Sequence, residues 1–211
     1  MKIHTILFDL DGTLIDTNEL IITSFLHTFE HFKIPITREE TLPFIGPTLK
    51  DTFDAVDPAK SAEMIQVYRE HNLHHHDNYV EAYPYVVETL RQLKENDVRL
   101  GIVTTKMHEG ATRGLKLVGL EELFDTVITL DDVTHAKPHP EPIIKAMNEL
   151  GSDASSTLMV GDNTHDIEAG QNAGVKTAGV AWSIKGKETL QSLNPTYILE
   201  DMRDLFSIAE V

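Results

Sequence analysis

The sequence predicts an α/β fold: a doubly wound, Rossmann-like parallel sheet with an α-helical unit inserted after its first strand. Short, continuously apolar runs alternate with helix-length amphipathic segments, and one long interval near the start breaks that alternation. Strands apolar on every residue belong to a parallel sheet covered by helices on both faces, because an antiparallel sheet with one wet face would alternate instead.

The first strand is expected at Thr5-Ile6-Leu7-Phe8, and four more at residues 100–103, 126–129, 157–160 and 177–180. Residues 84–96, 108–119, 140–149 and 164–173 are long enough for the crossover helices such strands require. Residues 17–80 lack a run of the core type and carry helical spacing instead, in Leu20, Phe25, Phe29 and Phe32 and again in Met64, Val67 and Tyr68. Pro35, Pro43, Pro47 and Pro58 divide the interval into four helices, with Phe44-Ile45-Gly46-Pro47 as an interhelical loop. The expected division is therefore a core of 1–16 and 81–211 and a helical unit of 17–80.

Composition narrows the function. A formal charge of −16 over 211 residues repels polyanions, and no basic stripe with interleaved aromatics offers a nucleic acid a track. With no cysteine, disulfides, thiolate nucleophiles and thiolate-bound zinc are excluded. No signal-like region opens the chain and no apolar stretch nears the roughly 20 residues that span a bilayer, so a cytoplasmic protein with no membrane partner is expected. A monomer or small homo-oligomer is expected.

Chemistry-bearing residues gather where strands end. In Phe8-Asp9-Leu10-Asp11-Gly12-Thr13 an apolar strand runs into two carboxylates two positions apart, which crowd like charge unless a cation or a proton compensates. In Met159-Val160-Gly161-Asp162-Asn163-Thr164-His165-Asp166 a second strand ends in acid, although Asp162 or Asn163 could equally cap the next helix and Asp166 face its dipole. Should these strands be neighbours, Asp9, Asp11 and Asp162 meet at one sheet edge as hard oxygen donors suited to magnesium. Thr104-Thr105-Lys106 closes another strand, and Lys137 stands just before a helix.

Acid pair, hydroxyl, lysine and acid pair, in that order, resemble the motifs of the haloacid dehalogenase superfamily across the whole core. The resemblance implies an aspartate-based, Mg2+-dependent phosphohydrolase. Asp9 would be the nucleophile and a metal ligand, and Asp11 the general acid and base that also lends its backbone carbonyl to the metal. Thr104 would bond the transferring phosphoryl group, Lys137 would neutralise it, and Asp162 would bind the metal with Asp166 in support. Thr13, Gly46, Lys50, Thr105, Lys106 and Asn163 are the further substrate-binding candidates. Asp11 separates phosphoryl chemistry from dehalogenation, because a halide leaves without a proton. Leu49, where the mutase branch implies arginine, and Gly12-Thr13-Leu14 favour hydrolysis over mutase chemistry.

Residues 17–80 resemble the family's helical cap. Thr17-Asn18-Glu19-Leu20-Ile21-Ile22 and Leu42-Pro43-Phe44-Ile45-Gly46-Pro47 resemble the group containing bacterial inorganic pyrophosphatases and phosphoglycolate phosphatases. A small phosphorylated substrate is implied, pyrophosphate first and phosphoglycolate or another small monoester second. Closure of the cap would bring Lys50 and Lys106 toward a charged leaving group. His71, His74, His75 and His76 are not expected to hold zinc, since consecutive helical positions point apart, and Trp182 is expected to pack.

Overall fold

A computed structural model describes residues 2–211. In chain order its elements are β1 (Thr5–Phe8), β2 (Ile15–Asp16), α1 (Asn18–His31), α2 (Arg38–Thr41), α3 (Leu49–Val56), α4 (Ser61–Tyr79), β3 (Glu81–Ala82), α5 (Val86–Glu95) and β4 (Arg99–Val103). There follow α6 (His108–Leu117), β5 (Thr126–Ile128), α7 (Glu141–Leu150), β6 (Thr157–Gly161), α8 (Thr164–Asn172), β7 (Lys176–Val180), α9 (Lys187–Gln191), β8 (Tyr197–Leu199) and α10 (Asp204–Ala209).

Six strands form one parallel sheet in the order β5-β4-β1-β6-β7-β8, so the chain reverses its winding direction beside β1. Side chains alternate between two covered faces. Ile6 and Phe8 pack with Leu90 and Leu93 of α5 and Leu115 of α6, whereas Leu7 and Met159 pack with Ile143 and Met147 of α7. This double covering explains the unbroken apolar runs. Phe8 pairs with Ile102 on one side and Val160 on the other, which brings the ends of three strands level. The residues immediately beyond them share one edge.

The helical insertion has its own apolar centre of Phe25, Phe29, Phe53, Met64 and Tyr68. Phe25 lies in the middle, with ring centroids 4.7 Å from Tyr68, 5.4 Å from Phe44 and 5.6 Å from Phe53. The prolines act as expected: Pro43 starts a 3₁₀ turn at Leu42–Phe44, Pro47 precedes α3 and Pro58 precedes α4. Where the chain enters and leaves the insertion, β2 and β3 pair antiparallel, Ile15 with Ala82 and Asp16 with Glu81. Two-residue strands have no periodicity to read, so this ribbon was not expected, nor was the closing β8 strand. Among the described residues no helix is long and apolar enough to cross a membrane.

Truncating Phe25 removes the ring that joins the insertion's helices. Phe25→Ala is expected to cost about 3–5 kcal/mol, read as an earlier urea midpoint for the helical insertion. A loss below about 1 kcal/mol would show that the cluster tolerates the cavity or collapses into it.

Candidate active site

The level strand ends place Asp9, Thr104 and Asp162 side by side. Asp9 extends the sheet ladder by one hydrogen bond, its amide to the Val160 carbonyl at 2.9 Å, so its backbone is fixed by the sheet. The chain then turns tightly, and Gly12 adopts φ +82° directly against the Asp162 carboxylate, where a methyl group would overlap the carboxylate oxygens. Thr13 donates its hydroxyl to Asp162 at 3.2 Å, and Ser183 donates to the Asp162 carbonyl at 2.7 Å. Trp182 donates its indole N–H to the Thr13 carbonyl at 3.3 Å and packs near Tyr83, which agrees with a packing role. No sequence signal marked Ser183.

Lys137 reaches into this edge from the loop before α7 with its ammonium buried. Its three donor directions are all used: Asp9 Oδ1 at 2.8 Å, Asp166 Oδ1 at 2.6 Å and the Val103 carbonyl at 2.8 Å. Asp166 is held in turn by the Asn163 amide at 2.9 Å, the reciprocal half of a capping box at the start of α8. Helix capping and charge placement are thus done by the same residues.

One ammonium among buried carboxylates leaves excess negative charge. Burial pushes the Asp9 carboxyl up to about 7, a rise that Lys137 opposes only in part. Burial, and then the nearness of Asp9 and Asp166, raise Asp162 well above the carboxylate range. For Lys137 burial works against the charge, but the attraction of Asp166 and Asp9 outweighs it and raises the pKa. Asp9, Asp162 and Asp166 bring one oxygen each to within 4.8 Å of one another. Hard oxygen donors carrying uncompensated negative charge fit a divalent cation.

Asp166, expected in support, joins Asp9 and Asp162 in this side-chain trio, whereas Asp11 was expected to offer its backbone carbonyl. The third clustered carboxylate is Asp166, while the Asp11 side chain points instead to Lys106, which it meets at 2.7 Å. The backbone turn after Asp9 aims alternate side chains apart, which linear spacing could not reveal.

A cavity of about 920 Å³ opens in front of these groups. Asp9, Asp11, Thr104, Thr105, Lys106, Asp162 and Asn163 line it from the core, and Phe25, Phe44, Ile45, Gly46, Tyr68 and Arg69 line it from the insertion. Thr104 accepts from the Lys106 amide at 3.1 Å, which folds the loop after β4 over the strand end. Hydrogen bonds join the halves across the cavity: Asn163 Nδ2 to the Ile45 carbonyl at 2.8 Å, Thr105 Oγ1 to the Gly46 carbonyl at 3.2 Å, and Arg113 of α6 to the Leu73 carbonyl and Asp77 of α4, both at 2.9 Å. Gly46 has φ +106° and lies so close to the Asn163 amide that no side chain fits. Thr105 and Asn163 therefore each spend a donor on a main-chain carbonyl of the insertion, Gly46 and Ile45 respectively.

Two expected substrate contacts are displaced. Lys50 lies on α3 with 74% of its side chain exposed, pairs with Asp54 one turn on, and does not line the cavity. Thr13 is fully buried, so its hydroxyl serves Asp162 rather than a ligand. Conversely, Arg69 and Asn72 of α4 line the cavity although the spacing of α4 indicated only packing.

The comparisons agree with this architecture. Residues 6–180 match the family model of the haloacid dehalogenase-like hydrolases. Pyrophosphatase PpaX of Anoxybacillus flavithermus is 57% identical over 212 residues, covering 100% of this chain and 99% of that one. Pyrophosphatase PpaX of Oceanobacillus iheyensis is 54% identical over 208 residues, covering 99% and 97%. Among solved structures, a haloacid dehalogenase-like family hydrolase of Streptococcus pneumoniae shares the fold, with a TM-score of 0.86, 24% identity and 97% coverage of both chains. With the family model spanning most of its length, and relatives more than half identical from end to end, the chain belongs to the haloacid dehalogenase-like hydrolases.

Proposed function

We propose that this chain is a Mg2+-dependent phosphohydrolase that forms an aspartyl-phosphate on Asp9, with inorganic pyrophosphate as its substrate. The observation that carries the chemistry is the buried Lys137 ammonium bridging Asp9 and Asp166 behind a cavity that Asp9 and Asp162 line. The substrate rests on the full-length relatives whose names are pyrophosphatases. The apolar cavity wall of Ile21, Phe25, Phe44 and Leu49 favours a second reading, a phosphatase for small monoesters such as phosphoglycolate, because pyrophosphate needs no apolar surface.

In this reading an Asp9 carboxylate oxygen attacks phosphorus, and the bond to the leaving phosphate breaks as its oxygen takes a proton from Asp11. Asp11, now ionised, accepts a proton from water as that water attacks the same phosphorus, and the Asp9 carboxylate is released with the second phosphate. Lys137 holds Asp9 in line and offsets the charge on the phosphoryl oxygens, and the Thr104 hydroxyl donates to one of them. Asp9, Asp162 and the Asp11 backbone carbonyl would hold magnesium, with Asp166 in support, and the metal would supply charge neutralisation for an anionic nucleophile approaching an anion. Residues 17–80 act as a cap on the core of 1–16 and 81–211, excluding bulk water while the acyl-phosphate exists.

Asp9→Asn is expected to fold normally and release no phosphate above background, because an amide neither attacks nor binds the metal well. Asp11→Asn should lower kcat by about 10²–10⁴. Phosphate release at the wild-type rate by either variant would remove that residue from the mechanism.

Burial raises Asp9 from 3.8 to about 7, so between those values the folded protein keeps a proton that the unfolded chain has lost. Stability of the metal-free protein therefore falls as pH rises through that window. Magnesium replaces the proton, so its stabilising effect should grow in the same direction. Thermal midpoints with saturating Mg2+ and with EDTA should differ more at pH 8 than at pH 6; an equal difference at both would contradict the assignment.

Gly46→Ala forces a methyl into the Asn163 amide and opens the rim, and is expected to reduce kcat/KM by about tenfold, about 1.4 kcal/mol. Lys50→Ala, altering an exposed side chain outside the cavity, should change it by less than about twofold. The reverse order would return the substrate contact to Lys50.

A further inference from the structure

Among the described residues, two groupings of histidine and acidic side chains bring three donor atoms within 4.8 Å of one another. One is the buried trio of Asp9, Asp162 and Asp166. The other lies outside the cavity: His135 and His139 on the loop that carries Lys137, and Glu141 at the start of α7.

His135 Nδ1 meets Glu141 Oε2 at 2.8 Å, and the His135 and His139 rings lie with centroids 4.6 Å apart. Glu141 is oriented by two backbone donors, the Thr134 amide at 2.7 Å and the His135 amide at 3.0 Å. Outer hydrogen bonds of this kind fix a ligating carboxylate. The Glu141 amide donates to His139 Nδ1 at 3.2 Å, which holds that ring beside the carboxylate. Loop capping accounts for Glu141 by itself, but it does not require an imidazole on each side of the carboxylate. The His135 side chain is 61% exposed, so water has access to the remaining coordination positions.

We propose that His135, His139 and Glu141 form a second metal site, selective for a transition metal of the Zn2+ class rather than for magnesium. Two nitrogen donors and one carboxylate are a borderline-soft set that Zn2+ takes with water completing its shell, whereas Mg2+ prefers oxygen alone. The histidines of α4 offer no equal alternative. His71 stacks on His27 and lies near His75, His76 is buried against Asp77, and no three of them gather donor atoms as closely.

The test is a calorimetric titration of the full chain with Zn2+ in saturating Mg2+. One Zn2+ per chain is expected, with affinity weakened about tenfold or more by His135→Ala or His139→Ala and unchanged by a His71→Ala/His75→Ala control. Both loop variants should keep the wild-type circular dichroism and zinc-free phosphate release. Co2+ added to the wild-type protein in Mg2+ should give the ligand-field absorption of a low-coordinate, imidazole-ligated ion, a readout independent of any variant's folding. The proposal is overturned if Zn2+ binds the loop variants as tightly as the wild type, if only the α4 control loses binding, or if no Zn2+ and no such Co2+ spectrum is seen in the presence of Mg2+.

Discussion

The Lys137 ammonium, buried between Asp9 and Asp166, is the interaction on which the rest of the site depends. Three carboxylates cannot share so small a volume without a cation, and an isolated buried carboxylate would simply take up a proton. With Lys137 present the cluster keeps part of its charge and shows the balance in the raised Asp9 and Asp162. The ammonium also ties together three separate parts of the chain: the end of β1, the end of β4 through the Val103 carbonyl, and the first turn of α8. A lysine brought in from a loop thereby fixes the relative placement of strand ends that the sheet has only made level.

The insertion works on that site from above. Its aromatic centre is independent of the core's two apolar clusters, and it reaches the site through the Phe44 to Pro47 loop and α4. Two hydrogen bonds from Thr105 and Asn163 to main-chain carbonyls hold the rim closed. Because both donors belong to the loops that carry Thr104 and Asp162, closure and the geometry of these strand-end groups are linked. The β2–β3 ribbon pairs the two chain crossings where the insertion leaves and rejoins the core.

The sheet was legible because each parallel strand is covered on both faces and therefore reads as an unbroken apolar run. The convergence of Asp9, Thr104 and Asp162 followed from it, since parallel strands in register end together. What could not be read was the direction of side chains beyond the strand ends. The Asp11 side chain pairs with Lys106, while the capping box of α8 holds Asp166 beside Lys137. Lys50 seemed close to the rim loop along the chain, yet α3 turns it to solvent. Thr105 and Asn163 were recognised as lying at the site, but their bonds to Ile45 and Gly46 join parts of the chain more than fifty residues apart and leave no local pattern.

In the proposed reaction Asp9 itself carries the phosphoryl group. Borohydride reduces an acyl-phosphate to an alcohol, so quenching the protein with borohydride during turnover in Mg2+ and pyrophosphate, then sequencing its peptides by mass spectrometry, locates the modified carboxyl directly. Homoserine is expected at position 9 and nowhere else, appearing only with substrate. Reduction at another carboxylate, or no reduction at position 9 while phosphate is being released, would contradict it.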